Sequence, residues 1–255
     1  MLELLNSHVS VRKFTDTPIM AAEELVIVET AQRSPTSSNL QTYSIVSIRN
    51  QDTKKKLAEL CGNQSHIAAS ALFLVFCADL HRLERISKTK RYKFNGDSTE
   101  MFIVSTVDTA LVAGRALITA QSLGIGGVMV GAIRNHPDEV AGLLSLPDFV
   151  YPVMGLSLGY PAAPAHTRPR LPLDAIYHRE VYSDDRFDEA VSEYDAKIDE
   201  LGHLKGREVQ PDLYPEFGGV YSWSEHSARR MANDNETALR PFMLNFLQKR
   251  GFLRR

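Results

Sequence analysis

Apolar positions first recur regularly in residues 21–33, AAEELVIVETAQR, where Leu25, Val28 and Ala31 are spaced to line one face of a helix. Arg33-Ser-Pro-Thr-Ser-Ser-Asn39 then breaks the period with turn-forming residues. Residues 41–48 predict a strand and 51–61 a short charged helix. Residues 71–78 are continuously apolar over strand length, the pattern of a strand covered on both faces. The longest helical stretch is 102–123, FIVSTVDTALVAGRALITAQSL, with apolar and small residues almost all round. Such a helix is buried on most sides, either at the centre of a core or shared with a second subunit. Gly124 supplies its stop. A short strand at 126–133, a helix at 137–144 and a strand at 151–159 follow.

Beyond Tyr160 the pattern changes. Pro161, Pro164, Pro169 and Pro172 mark an extended, irregular segment. Residues 186–201 predict a helix, 202–222 an excursion rich in Gly and Pro, and 224–250 helix again. Strands mixed with helices without strict βαβ alternation indicate an α+β fold. Residues 161–255 are too polar for a free-standing core, so the expectation is one domain, 1–255, with 161–255 as its arm or cap.

Composition changes this picture little. Of 255 residues, 44% are apolar and 24% charged, an ordinary globular balance, and the formal net charge of -2 gives no field for nucleic acid or anionic membrane. The basic residues near the end (Arg229, Arg230, Lys249, Arg250, Arg254, Arg255) read as a solvated helix face. Cys61 and Cys77 form neither a disulfide framework nor a zinc pattern, and Cys77 lies in an apolar run as a small buried hydrophobe. The N-terminus does not read as a signal peptide, and Asp108, Arg115 and Gln121 interrupt the nearest approach to a membrane span. A cytoplasmic protein is expected.

Motifs for protein-borne catalysis are missing: no Walker loop, no HExxH, and no GxGxxG after a strand. Gly155-Leu-Ser157-Leu-Gly159 matches GxSxG in letters, but Tyr160-Pro161 follows where a nucleophile elbow needs a helix, so Ser157 reads as a strand residue. Gly124-Ile-Gly126-Gly127 follows a helix and enters a strand, the reverse of a dinucleotide fingerprint. A chain without its own nucleophile, metal or acid–base pair borrows chemistry from a cofactor. Three segments suit an anion-bearing ring. In His8-Val-Ser-Val-Arg12, alternation puts His8, Ser10 and Arg12 on one side and Val9 and Val11 on the other; these are either donors to a phosphate or polar strand residues facing water. Arg33 to Gln41 is either a cofactor-edging loop or a plain connector. In Arg168-Pro169-Arg170 the fixed φ of proline holds two guanidinium groups apart, as a phosphate grip or a basic surface loop.

In this order the segments resemble the nitroreductase superfamily, particularly its oxygen-insensitive NADPH nitroreductases and NADPH–flavin oxidoreductases. The likeness runs from SHVSVRKFTD (7–16) through SSNLQ (37–41), GNQSHIA (62–68), FCADLHR (76–82), VDTALVAGRALITAQSLGIGGVMVGAIRN (107–135), PVMGLSLGYP (152–161) and RPRLP (168–172). It ends with YSWSEHSARR (221–230) and LRPFMLNFLQKRGF (239–252). The resemblance implies a three-layer α+β homodimer with a central mixed sheet, long interface helices and an extended C-terminal arm wrapping the partner. One FMN would lie in each cleft between subunits. By motif position, His8, Val9, Ser10, Val11 and Arg12 would hold the FMN phosphate with Arg168, Pro169 and Arg170. Ser38, Leu40 and Gln64 would contact the flavin or line its cleft from the other subunit, and Met129, Val130, Gly131 and Ala132 would run along the ring. Arg240 and Asn39 would face the substrate side. The implied activity is ping-pong transfer from NADPH, favoured over NADH, through FMN to nitroaromatic, quinone or flavin acceptors, with no catalytic side chain and no metal.

Departures from the pattern bear on specificity. Val9 stands where the family usually has Arg, Asn39 where an aromatic is frequent, and Arg168 where Lys is common. The segment 202–220 is longer than the basic loop that clasps the 2′-phosphate of NADPH in relatives; Lys205 and Arg207 are its candidates here. Asn39 and this excursion leave open a specialised FMN reductase acting on one aromatic substrate, and a non-catalytic flavin-binding protein is the alternative from another class.

Overall fold

The computed structural model describes residues 1–205, 221–232 and 239–255. The chain divides into two compact units, Met1–His166 with Arg240–Arg255, and Thr167–Leu239. The first unit therefore includes residues 161–166 and Arg240–Arg255.

In the first unit, helices α1 (Leu2–Asn6) and α2 (Ala21–Gln32) precede strand β1 (Tyr43–Ile48). Helices α3 (Gln51–Leu60) and α4 (Ser65–Ala69), strand β2 (Leu72–Asp79) and helices α5 (His81–Lys90) and α6 (Thr99–Ser122) follow. Strand β3 (Gly126–Val130), helix α7 (Pro137–Leu143), strand β4 (Val150–Gly159) and a final helix, Met243–Lys249, complete it. The four strands form one antiparallel sheet in the order β1-β2-β4-β3. The parallel component of the expected mixed sheet is confined, among the described residues, to a single bridge from Ser10 to Gly127.

β2 shows why a continuous apolar run belongs at the centre of the sheet. Leu72, Leu74 and Phe76 pack with Ile27 and Ala31 of α2, Val112, Ala116 and Ala120 of α6, and Leu156 and Leu158 of β4. The alternate residues Phe73, Val75 and Cys77 pack on the other side with Leu57 of α3, Ile67 of α4 and Val140 of α7. Strand periodicity thus sends successive side chains into two different helical layers, and each fully buried one contributes about 1.5–3 kcal/mol. A third cluster joins Tyr151, Phe102 and Phe149 to Phe246, Leu247 and Phe252, seating the chain's end on the unit.

Two helical expectations change in detail. In α2 the buried residues are Ile27 and Ala31, whereas Leu25 is 59% exposed. The helix has apolar side chains on several faces, so spacing alone did not select the covered one. In α6 the buried stripe runs through Ser105, Asp108, Thr109, Val112, Ala113, Ala116 and Ala120, while Ile103, Val107, Leu111 and Ile118 lie exposed on the opposite face. It is therefore buried on one side within the chain rather than on most sides. Ser98 caps its start by accepting from Met101 N, and Gly124, at φ 77°, follows its end. α6 is the one described helix long and apolar enough to cross a membrane, and its packing on sheet and α2 accounts for that composition.

In the second unit, helix α8 (Phe187–Glu200) and helix α9 (Trp223–Ala232) are joined where Asp195 accepts from Ser224 N at 2.9 Å. The final helix Met243–Lys249 is α10. The single helix expected at 224–250 is thus represented by α9 and α10, with residues 233–238 outside the described set.

Candidate active site

Residues 8–15 run in extended form along two strands of the sheet. Ser10 bridges Gly127, Val11 N donates to Gly127 O at 3.0 Å, and Thr15 N donates to Tyr160 O at 2.8 Å. Val11 is buried, while Ser10 and Arg12 are exposed. This is the alternation read from the sequence. Close approach requires glycine at the neighbouring strand: a Cβ on Gly126 would stand 2.7 Å from Val11 Cγ2. Val9 is half-buried and adds no donor.

His8 is half-buried, and its Nδ1 lies 3.1 Å from the Gln121 side-chain amide of α6. An amide N–H only donates, so Nδ1 accepts and the ring hydrogen sits on Nε2. Arg12 has no carboxylate or hydrogen-bond partner among the described residues. A guanidinium, a hydroxyl and an imidazole N–H on one anchored segment form a donor set that fits a phosphate monoester.

Gln64 and His66 lie at the start of α4, and His66 connects Gln64 to the sheet. His66 Nε2 is 3.0 Å from Gln64 Oε1, and its Nδ1 is 3.1 Å from Ser157 Oγ on β4. Burial first, and the Arg12 charge second, lower the His66 pKa below its ordinary value. That electrostatic influence places Arg12 and His66 in one neighbourhood. Ser157 is fully buried, so it is a support and not an accessible nucleophile, as the sequence indicated.

β3 leads through Met129 and Val130 into a turn of 3-10 helix, Gly131–Arg134. Met129, Gly131 and Ala132 are half-buried and Val130 is buried. A helical turn leaves its first backbone N–H groups without an internal acceptor, which suits Gly131 and Ala132 to a polar ring edge. Arg240 Nε donates to Asn135 Oδ1 at 2.9 Å, directly after this turn, which anchors Arg240 beside it.

The 37–41 loop is exposed at Ser38, Asn39 and Leu40, and Ser38, Asn39 and Gln41 all take positive φ (49°, 56° and 54°). It is held from beneath by Asp108 of α6, 2% exposed, which accepts from Ser37 N at 3.0 Å, Thr42 Oγ1 at 2.7 Å and Thr42 N at 3.4 Å. No hydrogen bond among the described residues joins this loop to Gln64. The sequence reading missed both Asp108 and His66 as supports.

Arg168, Pro169 and Arg170 lie in the second unit. Arg168 is exposed, and Arg170 donates to the carbonyls of Arg168 (2.9 Å) and Pro169 (3.1 Å), while Tyr194 Oη donates to Pro169 O at 3.1 Å. Lys205 is exposed, and Arg207 lies outside the described residues. Cys61 and Cys77 are unpaired and buried, with burial pushing both thiols up to about 12, so neither supplies a thiolate. No cluster of metal-ligating side chains occurs among the described residues.

Three-layer α+β enzymes with this topology are represented among solved structures. A nitroreductase from Bacillus subtilis, NfrA1, superposes with a TM-score of 0.89 at 33% identity, covering 100% of this chain and 99% of that one. The chain is 36% identical over 255 residues to an oxygen-insensitive NADPH nitroreductase of Salmonella typhimurium, covering 100% of this chain and 98% of the relative. It is 39% identical over 201 residues to an FMN reductase (NADPH) of Bacillus subtilis, covering 77% and 81%. Residues 5–160 match the Nitroreductase family and residues 168–255 the C-terminal domain of that family. This chain belongs to the nitroreductase family.

Proposed function

We propose that this protein is an FMN-dependent NAD(P)H oxidoreductase of the nitroreductase and flavin reductase type. Its donor would be NADPH in preference to NADH, and its acceptors nitroaromatics, quinones or free flavin. The observation that carries the reading is Arg12, without a hydrogen-bond or ion-pair partner among the described residues, beside Ser10 and His8 on a segment bridged to the strand that leads to Met129–Ala132. FMN, when bound, supplies the redox chemistry, taking two electrons from the nicotinamide and passing them to the acceptor.

The chain's own residues bind and orient. Arg12, Ser10 and His8, with Val9 and Val11 as the backbone between them, would grip the phosphate, and Arg168, Pro169 and Arg170 would complete the grip. Met129, Val130, Gly131 and Ala132 would line the ring, with Gln64 donating to its edge. Ser38 and Leu40 would close the cleft from a second copy of the chain, and Asn39 and Arg240 would meet the substrate. Lys205 and Arg207 would read the 2′-phosphate of NADPH.

The working form we propose is a cytoplasmic homodimer, with residues 161–255 as an arm or cap dependent on the rest of the domain. Support comes from the exposed apolar residues Ile103, Val107, Leu111 and Ile118 of α6, which a partner copy would cover. The test is the visible spectrum of the purified protein, followed by anaerobic addition of NADPH or NADH. Flavin absorbance that bleaches faster with NADPH is the expected result. A colourless protein that takes up no added FMN would overturn the proposal.

A further inference from the structure

Gln64, His66 and Ser157 form a chain of hydrogen bonds that begins inside the sheet and ends at the surface of α4. The Ser157 hydroxyl is fully buried in β4, and its one hydrogen-bond partner among the described residues is His66 Nδ1, at 3.1 Å. That arrangement fixes the direction of every hydrogen along the chain. If the ring hydrogen were on Nδ1, it would point at Ser157 Oγ, and the buried hydroxyl hydrogen would have no acceptor. A buried donor left unmatched costs about 1–3 kcal/mol. With the hydrogen on Nε2, Ser157 donates to Nδ1 and Nε2 donates to Gln64 Oε1 at 3.0 Å. The neutral ring this requires is favoured by burial and by the nearby Arg12 charge. An Asn or Gln side chain is ordinarily free to exchange its oxygen and nitrogen by rotation. Here the oxygen is committed to His66, so the two N–H donors are what the half-buried Gln64 presents elsewhere.

We infer that Ser157 and His66 are positioning residues that lock the Gln64 amide with its N–H donors outward, so that this position selects an acceptor atom, such as a carbonyl oxygen or unprotonated nitrogen of the flavin ring, over a donor. The inference rests on the proposed placement of Gln64 at the flavin. Its consequence is geometric: the sheet interior, through one serine, sets the polarity of a contact on the surface. A phenylalanine at 66 would retain the ring but release the amide, and Gln64 would then spend part of its time with the oxygen outward, opposing the ligand's acceptor. Loss of one oriented hydrogen bond of this kind weakens binding by about fivefold to tenfold.

The experiment has two arms. In the first, the nitrogen chemical shifts of labelled histidine are recorded in the flavin-free protein at neutral pH, with H66F identifying the signal among the eight histidines. A neutral ring protonated at Nε2 is expected; protonation at Nδ1, or a charged ring, overturns the inference. In the second, FMN dissociation constants are measured for H66F, Q64A and the double variant. Q64A should weaken FMN by about fivefold to tenfold, H66F by less, about twofold, because its released amide still donates part of the time, and the double variant no more than Q64A. Additive losses, or a loss in Q64A with none in H66F, overturn it. No loss in Q64A while the ring is protonated at Nε2 refutes the placement of Gln64 at the flavin and leaves the hydrogen-bond relay standing. The first arm uses the native sequence for its main reading, so a poorly folding variant does not rescue the inference.

Discussion

Replacing Asp108 tests whether one buried carboxylate organises the loop that carries Ser38, Asn39 and Leu40. In the native structure it accepts from Ser37 N (3.0 Å), Thr42 Oγ1 (2.7 Å) and, at 3.4 Å, Thr42 N. Thr42 is fully buried, whereas Ser37 is exposed. Hydrogen bonds to a charged group are worth about 1.5–3 kcal/mol each, so two good bonds and one long one set the loss in D108A at about 4 kcal/mol. Water returning to the exposed Ser37 amide reduces this to about 3 kcal/mol. For a chain of this size that is a fall of about 6–12 °C in Tm, read at fixed protein concentration without added FMN. D108N should be milder. Its amide oxygen can still accept from Ser37 N, and the Thr42 hydroxyl can turn to accept from the new NH2, leaving Thr42 N as the orphan at a cost of about 1 kcal/mol. The bonds also offset the positive φ angles of Ser38, Asn39 and Gln41, a conformation that costs about 1–2 kcal/mol per residue. Amide exchange at Ser37 and Thr42 should therefore accelerate in D108A more than exchange in β2. A D108A Tm within about 2 °C of native, or unchanged exchange at both amides, would refute the clamp.

The remaining predictions concern cofactor, nucleotide, thiols and assembly. Arg12→Ala and Arg170→Ala should each lower the flavin content of purified protein, since each removes a charged donor; equal flavin content in both removes them from the phosphate site. The double variant K205A/R207A should raise the KM for NADPH and leave that for NADH nearly unchanged, while equal effects on both would dismiss the assignment. Both thiols are raised from 9.0 to about 12 in the folded chain, so between those values the unfolded state has lost protons that the native state keeps. Stability from these groups is complete below pH 9 and declines as pH rises toward about 12; chemical denaturation of C61A/C77A should show a shallower alkaline decline than the native chain. Val107→Glu with Leu111→Glu puts charge on the exposed face of α6 and should yield monomers by light scattering; a dimer that persists would show that this face is not the interface.

What was legible in the sequence follows the range of the interactions that make it. β2 could be read because six consecutive residues, Leu72 to Cys77, alternate between two apolar layers and so are all apolar, a local consequence of burial on both faces. The end of α6 was legible because Gly124 marks it with a conformation few other residues accept. α5 was not, since its anchoring is remote or polar: Asp79 accepts from His81 N at 2.9 Å, and Arg82 reaches Gln41 O at 2.8 Å. The candidate phosphate donors His8, Ser10 and Arg12 could be picked out because alternation groups them within five residues. The supports of the 37–41 loop and of Gln64 could not, because Asp108 lies 71 residues from Ser37, and Ser157 lies 91 from His66. Yet each support left a local trace. Asp108 is a carboxylate inside the most apolar helix, and Ser157 a hydroxyl inside a strand otherwise buried and apolar. A polar group kept in such surroundings must find a partner or incur the full cost of desolvation. The productive question of an isolated polar residue in an apolar run is therefore which exposed segment it holds. In this chain the answers are the 37–41 loop and Gln64.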